Sequence, residues 1–254
     1  LSTGLKINKA SDDASGLAIA DKLRTEATSI SEGISNGNSA VSLLQIADKS
    51  MGEQSNILDT VKAKLIQANT ATTSADGRES IRKDIDKLLT QLDKIAGQTN
   101  YNGTYLLQSA AGSAGNAAST ALVFQVGEKS ADTITNEAVR SNTTGLGLTT
   151  LSGLAASGLT ASVAGTQQTT VDAAITTLNG YRGNIGSTQN QVESAVRNLM
   201  TQATNVKAAE SIIRDVDYAQ ESANFNKQNI ISQAGSYAIS QANAVQQNVL
   251  RLLQ

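Results

Sequence analysis

The chain has 254 residues, a formal net charge of −2, and no histidine, cysteine, proline or tryptophan. Without histidine or cysteine it lacks both the Ser-His-Asp and the Cys-His catalytic sets, together with the imidazole and thiolate ligands of zinc sites. A charge so close to zero gives no general attraction to nucleic acid, and no apolar run is long enough to span a bilayer. We therefore expect no enzymatic activity, no cofactor, no metal, no nucleic-acid partner and no membrane insertion.

The first 70 residues predict one long helix, from about Asp12 to about Thr70. Apolar residues recur there at alternating steps of four and three, which is the pattern of a helix with one seam facing partner helices. The absence of proline agrees, because proline interrupts helix interiors. We assign the following residues to this core seam: Leu23, Ile30, Ile34, Val41, Leu44, Met51, Leu58 and Leu65.

A turn over residues 69–77 and a second helix over residues 78–96 follow, with Gly97 as the terminating glycine. The dipeptide Asn102-Gly103 lies between aromatic residues, and Asn-Gly is a strong signal for a two-residue hairpin turn.

Two short strands are predicted over residues 122–126 and 132–135. Residues 141–170 are rich in glycine, serine, threonine and alanine. We expect them to form a surface segment with little core of its own.

A third long helix is predicted over residues 170–213, and it keeps the same apolar spacing. Its share of the core seam is Ile185, Val192, Val196 and Leu199.

A last helix is predicted from about residue 222 to 253, and its composition is unusual. In residues 221–254 only Glu221, Lys227 and Arg251 are charged, whereas a free surface helix normally carries a strongly charged face. Its apolar seam has no evident partner within the chain; it comprises Ile231, Gly235, Ala238, Ala242, Val245, Val249 and Leu252. We expect the segment to be disordered alone and to order in an assembly or on a carrier protein. The alternative is a frayed helix that docks on the bundle.

The predicted fold is mainly α: a long antiparallel helical bundle or coiled coil with a small β-hairpin region, forming an extended, rod-like subunit. We expect residues 1–108 and residues 170–220 to form the two parts of a helical core domain. Residues 109–169 should form a short β or irregular variable segment, and residues 221–254 a C-terminal inner helix.

Several stretches resemble bacterial flagellin. Residues 1–24 (LSTGLKINKASDDASGLAIADKLR) are similar to its N-terminal signature, and residues 98–107 (QTNYNGTYLL) to its hairpin. Residues 179–192 resemble the start of its C-terminal core helix, and residues 213–225 and 241–254 resemble its C-terminus.

The sequence also departs from the family pattern. The inner helix that would precede Leu1 is missing, so we expect the chain as it stands to be truncated and unable to polymerise alone. The variable outer region is very short, so large outer domains are not expected.

The resemblance implies a structural subunit that polymerises into the filament of the bacterial flagellum. It implies other flagellin subunits, a flagellar export chaperone, and the filament cap and hook-associated proteins as partners. It also implies type III export from a chaperone-bound cytoplasmic stage to the extracellular filament. For chaperone binding and inner packing we name Ile230, Ile231, Ala234, Val245, Val249, Leu250, Leu252 and Leu253.

Many flagellins are sensed by Toll-like receptor 5 through the first core helix, which the resemblance places at residues 58–67. Here Thr60 stands where recognised members carry arginine, Lys64 where they carry leucine, and Asp84 where they carry glutamate. Threonine lacks the donor fork of arginine, so the resemblance predicts evasion of the receptor. Ordinary variation of a solvated face is the alternative.

Two other functions share some of these features. A hook–filament junction protein is a close relative of the first interpretation. A helical signalling module of the chemoreceptor type would explain the heptads but not the Asn-Gly hairpin.

Overall fold

The computed structural model describes residues 1–112 and 115–252, with side chains described up to residue 246. Five helices and two short hairpins follow one another, which confirms the mainly α prediction. The helices are α1 (Ala14–Asn69), α2 (Ala75–Gln98), α3 (Thr149–Ser152), α4 (Ala161–Arg214) and α5 (Tyr218–Leu252). The strands are β1 (Asn100–Tyr101), β2 (Thr104–Tyr105), β3 (Leu122–Gln125) and β4 (Thr133–Asn136).

The chain forms two compact units. The first combines Leu1–Thr28 with Ala203–Gln254, and the second is Ser29–Gln202. The boundaries that we predicted after residues 108 and 169 both fall inside the second unit.

In the second unit α1 and α4 run antiparallel, as the contacts between them show. Arg182 Nε lies 2.9 Å from Asp48 Oδ1, and Gln168 Nε2 donates to the Leu65 carbonyl at 3.4 Å. Contacts that advance along α1 therefore move back along α4, so the two helices form an antiparallel pair as predicted.

Helix α2 returns along α1 in the same way. The Gln54 Nε2 amide donates to the Leu92 carbonyl at 3.1 Å, and Lys64 Nζ lies 2.8 Å from Asp84 Oδ2. The antiparallel bundle of the second unit thus consists of α2, α4 and the part of α1 that belongs to this unit.

Leucine, isoleucine and alanine side chains supply most of the core. Of the residues assigned to the core seam, these are at most 9% exposed: Ile30, Leu44, Met51, Leu58, Leu65, Ile185, Val192, Val196 and Leu199. Leu23, Ile34 and Val41 are half-buried. Alanines lie between the large residues of this core, and the aromatic Phe124 and Tyr181 pack against it while only partly buried.

The hairpin at the end of α2 has the predicted turn. Asn102 and Gly103 both have positive φ, 49° and 82°, and Tyr101 pairs with Thr104 across them. Positive φ at both central positions is what the favoured two-residue turn requires, and Asn-Gly adopts it at low cost. The second hairpin pairs Leu122–Gln125 with Thr133–Asn136, within about a residue of the predicted strands.

The expectation that residues 141–170 form a surface segment is wrong. Leu148, Leu151 and Leu159 are at most 3% exposed and belong to the main core cluster. Helix α4 also begins at Ala161, earlier than predicted. The stretch from Leu148 to Leu159 is rich in glycine, serine, threonine and alanine and keeps no helical or strand period over its whole length, so its composition gave no indication of burial.

Residues 141–143 form a buried strap held by polar groups of α1 and α2. The Asp93 carboxylate accepts the Thr143 N–H at 2.7 Å and the Thr143 hydroxyl at 2.9 Å. Gln54 Nε2 donates to the Ser141 carbonyl at 3.1 Å. Burial raises the pKa of the Asp93 carboxyl, and the two Thr143 donors partly oppose that rise. This strap unites parts of the chain that are distant in sequence, so sequence reasoning missed it.

In the first unit, the N-terminal arm is joined to the connection between α4 and α5. Leu5 forms an antiparallel bridge with Asp215, Lys6 N–H donates to the Arg214 carbonyl at 2.7 Å, and Val216 N–H donates to the Gly4 carbonyl at 3.0 Å. These bonds satisfy backbone groups where the α4 helix ends.

A close approach between α1 and the second hairpin depends on a glycine. A Cβ at Gly33 would lie 2.9 Å from the Val126 carbonyl oxygen, which is backbone and cannot rotate away. One turn further, Asn36 Nδ2 donates to the Gln125 carbonyl at 3.3 Å and holds the strand against the helix.

We predict that Gly33→Ala lowers the free energy of unfolding of the second unit by about 1–3 kcal/mol, as overpacking of a core does. Gly52→Ala is the matched control in the same helix, because nothing lies within 4 Å of a Cβ there. The control should gain about 0.5–1 kcal/mol from better helix propensity. Urea unfolding followed by circular dichroism measures both, and equal effects of the two substitutions would contradict the packing.

Candidate assembly and partner-binding surface

The first candidate surface is α5, which begins at a well-formed cap. The Asp217 carboxylate accepts the N–H groups of Ala219 at 3.0 Å and Gln220 at 3.1 Å, and Glu221 adds negative charge to the first turn. Both features stabilise a helix N-terminus. The helix then continues through a stretch without proline that is rich in alanine and glutamine.

Every side chain from residue 223 to residue 246 is exposed. The large apolar ones are included, from Val245 at 52% to Tyr237 at 75% of their full area. The expectation that this segment is disordered alone does not match the structure, in which it is helical and satisfies its own backbone hydrogen bonds.

The large apolar residues of α5 point in three directions. Successive helix residues are about 100° apart. On that geometry Phe225 and Ile239 share one side, and Ile230 and Tyr237 share a second, roughly opposite side. Ile231 and Val245 share a third side, about 90–120° from the other two. The single seam that we predicted through Ile231 and Val245 is therefore only one of three apolar sides.

The predicted anchors divide between described and undescribed side chains. Ile230, Ile231, Ala234 and Val245 are all exposed. The side chains of Val249, Leu250 and Leu252 lie outside the described residues, as does Leu253 altogether.

The second candidate surface lies where α1 and α2 pack together, at the positions matched to receptor contacts. Thr60 is exposed, and its hydroxyl donates to the Asn56 carbonyl of its own helix at 2.9 Å. Lys64 Nζ lies 2.8 Å from Asp84 Oδ2. The hydrogen bond and positive charge of Lys64 lower the pKa of the Asp84 carboxyl. The structure thus brings Lys64 and Asp84 together on this face.

A second ion pair on α2 holds the loop before α4. The two Glu79 oxygens accept the Arg82 Nε and Nη2 groups, each at 2.9 Å. Glu79 Oε2 also accepts the Ser157 N–H at 2.9 Å, and Arg82 Nη1 donates to the Leu154 carbonyl at 3.1 Å. The Arg82 hydrogen bonds, supported by Ser157, lower the pKa of Glu79 to about 2.

Neither surface offers a metal site within residues 1–112 and 115–252, where no cluster of acidic, histidine or cysteine side chains is arranged to bind an ion. Over the same residues, no helix is both long and apolar enough to cross a membrane.

Two family matches cover most of the chain. The bacterial flagellin N-terminal helical region matches residues 1–112, and the bacterial flagellin C-terminal helical region matches residues 168–253.

Full-length relatives agree with these matches. The flagellin of Bacillus subtilis (strain 168) is 35% identical over 274 residues, covering 100% of this chain and 90% of the relative. The flagellar filament 31.3 kDa core protein of Treponema maltophilum is 30% identical, with the same coverage.

Solved structures support the fold. The crystal structure of Bacillus cereus flagellin has a TM-score of 0.55 and 32% identity, covering 69% of this chain and 94% of that one. A putative flagellar hook-associated protein from Vibrio parahaemolyticus has a TM-score of 0.64 but 12% identity, covering 80% and 99%, and shows the fold alone.

The helical fold and these matches define a structural protein of the bacterial flagellum. The chain belongs to the bacterial flagellins, the structural subunits of the extracellular flagellar filament.

The Glu79–Arg82 pair predicts an acid-sensitive loop. Because the pKa of Glu79 is about 2 in the folded chain against an ordinary 4.5, its stabilising contribution is complete above pH 4.5 and is lost as the pH falls through 2. Glu79→Gln should remove this acid-dependent contribution. It should also speed amide hydrogen exchange at Ser157 near neutral pH.

Glu53→Gln, at an exposed glutamate of the same unit, is the control. Hydrogen exchange monitored by mass spectrometry across the acid range measures the difference. Unchanged Ser157 exchange in Glu79→Gln would show that the pair does not hold the loop.

Proposed function

We propose that α5 is the polymerisation helix of this flagellin. Neighbouring subunits enclose it in the filament interior, and the flagellar export chaperone covers it before type III export. The observation that carries the proposal is the exposure of large apolar side chains on three sides of one helix. The cap and hook-associated proteins, as further partners, follow from the same assembly.

Three apolar sides favour enclosure over docking. A groove on a single partner covers one side of a helix, which would leave Phe225 and Ile239 in water if Ile230 and Tyr237 were buried. Fully burying one such side chain contributes about 1.5–3 kcal/mol. Several neighbours at once therefore stabilise the helix far more than one contact does.

The polar residues of α5 support the same geometry. Asparagine, glutamine, serine and alanine fill the positions between the large apolar residues, and Glu221 and Lys227 are the charged residues among 218–246. Small and neutral side chains let helices pack closely without burying unpaired charge. A helix that stayed in water would have no need to avoid charge.

The same exposure explains why an escort is needed before assembly. Exposed apolar surface of this size favours premature association in the cytoplasm. A chaperone that wraps the helix would protect all three sides, and copies of the chain would then replace it outside the cell.

The test is the triple variant Ile230→Ser, Ile231→Ser and Val245→Ser in the protein as the bacterium makes it. These side chains are exposed in the isolated chain. The variant should therefore keep the unfolding midpoint of the second unit, yet form at least about tenfold less sedimentable filament. Binding of the purified export chaperone, measured by calorimetry, should weaken by a similar factor.

A double variant, Gln228→Ser with Gln233→Ser, is the matched control on the same helix, and it should assemble and bind the chaperone normally. Normal filament yield from the triple variant would overturn the interior-packing role. Unchanged chaperone affinity would overturn the escort role alone.

A second proposal concerns the face formed by α1 and α2: we infer that it evades Toll-like receptor 5. Thr60 bonds to its own helix, and Asp84 holds the Lys64 ammonium. The face therefore offers no guanidinium fork and no apolar anchor at these positions. Binding would also require breaking the Lys64–Asp84 pair.

We predict that Thr60→Arg, Lys64→Leu and Asp84→Glu together raise receptor signalling at least about tenfold, by adding the missing fork and removing a solvated charge. Thr90→Arg with Lys94→Leu reproduces the first two substitutions, at the same spacing, on an exposed part of α2. A reporter-cell assay on monomeric protein compares them. Full potency of the unmodified protein, or an equal gain in the control, would contradict evasion.

A further inference from the structure

The chain contains the dipeptide Asn-Gly three times, at Asn36-Gly37, Asn102-Gly103 and Asn179-Gly180. Asparagine before glycine can cyclise, because glycine has no side chain to obstruct the approach of its backbone nitrogen to the asparagine side-chain carbonyl carbon. Whether it does so in a folded protein depends on the backbone around it. The three copies share their local chemistry and differ in their surroundings.

The second copy lies at the tip of the first hairpin. Asn102, Gly103 and Thr104 are all exposed, and the positive φ values of Asn102 and Gly103 place them at the centre of a two-residue turn. A Cβ built on Gly103 meets nothing within 4 Å. The pairing beyond the turn is short, since each strand has two residues, so little structure opposes a local reorientation of the Asn102–Gly103 peptide plane.

The other two copies are in helices. Asn36-Gly37 lies in α1, where the Asn36 amide donates to the Gln125 carbonyl and a Cβ at Gly37 would lie 2.4 Å from Val196 Cγ2. Asn179-Gly180 lies in α4, is exposed, and has open space around Gly180.

Asn179-Gly180 therefore separates the effect of exposure from that of backbone conformation. In a helix the glycine N–H is bonded to the carbonyl four residues earlier, and the backbone torsions direct this nitrogen away from the preceding side chain. Cyclisation at either helical copy requires local unfolding.

We propose that Asn102 is a site of spontaneous covalent modification, converted through a cyclic imide to aspartate and isoaspartate. The Gly103 backbone nitrogen, after losing its proton to solvent base, attacks Asn102 Cγ. The new N–Cγ bond replaces the bond to the side-chain amide nitrogen, which leaves as ammonia after taking up a proton.

Water then opens the imide. Hydrolysis at Cγ gives aspartate, and hydrolysis at the main-chain carbonyl gives isoaspartate. Overall, one water is consumed and one ammonia released, with no oxidant, reductant or enzyme.

The two products differ in what they do to the hairpin. Both add one negative charge, changing the formal net charge from −2 to −3. Aspartate before glycine still suits this turn. Isoaspartate inserts a methylene into the backbone of a two-residue loop, so it breaks the pairing of Tyr101 with Thr104. The modified fraction of Asn102 should therefore increase with the age of the subunit.

The experiment incubates the folded full chain in mildly alkaline buffer, with a parallel sample in denaturant. Peptide mapping by mass spectrometry quantifies deamidation at each Asn-Gly, and an isoaspartyl methyltransferase assay detects isoaspartate. In the folded chain Asn102 should react at least about tenfold faster than Asn179 and Asn36, because only the helical copies need an opening step. In denaturant the three rates should converge.

Asn102→Gln lengthens the side chain, disfavours the five-membered imide and should abolish the isoaspartate signal of the folded protein. Asn102→Asp has the product charge and should reproduce the charge change without incubation. Equal rates at Asn102 and Asn179 in the folded chain would overturn the proposal, as would deamidation of Asn102 without isoaspartate. Rates that stayed unequal in denaturant would attribute the selectivity to local sequence and would also overturn it.

Discussion

One physical constraint governs this molecule: α5 presents apolar side chains to water on three sides, and nothing within its own described surroundings covers them. Burial of apolar surface is the dominant favourable term in association, and it is proportional to the area removed from water. A helix with one apolar side can bury that side, and gain the corresponding free energy, against one partner. A helix with three apolar sides obtains this contribution only when neighbours surround it, as we propose for α5 in the filament.

The second unit, in contrast, buries apolar side chains and pairs buried polar groups within the chain. Its antiparallel helices bury leucines and isoleucines from α1, α2 and α4 in one cluster, and Gly33 lets the strand carbonyl at Val126 approach α1 closely. Buried polar groups also contribute: Asp93 and Gln54 form hydrogen bonds to the strap at residues 141–143. Such buried bonds are costly to leave unmade, which favours one arrangement of the strap. The chain thus combines a unit with a large buried core and a helix whose large apolar side chains are exposed.

Periodic features could be predicted from the sequence, and features that depend on distant contacts could not. The long helices follow from apolar spacing, and the hairpin at Asn102 follows from the backbone freedom of Asn-Gly, both of which are local properties. The burial of Leu148 and Leu159 depends instead on a core cluster built with residues that are distant in sequence. The three apolar sides of α5 follow from its sequence and the helical repeat, but the single predicted seam includes Ile231 and Val245 and leaves out Phe225 and Tyr237.

Hydroxyl-radical footprinting of the isolated chain and of the assembled filament tests the enclosure of α5 most directly. Phe225, Tyr237 and Ile231 report on the three sides, and all three side chains are at least 55% exposed in the isolated chain. Enclosure predicts strong oxidation of each in the isolated chain and protection of each in the filament, by about the same large factor. Protection of one side with continued oxidation of the other two would contradict the account, because it would show a helix docked on a single partner.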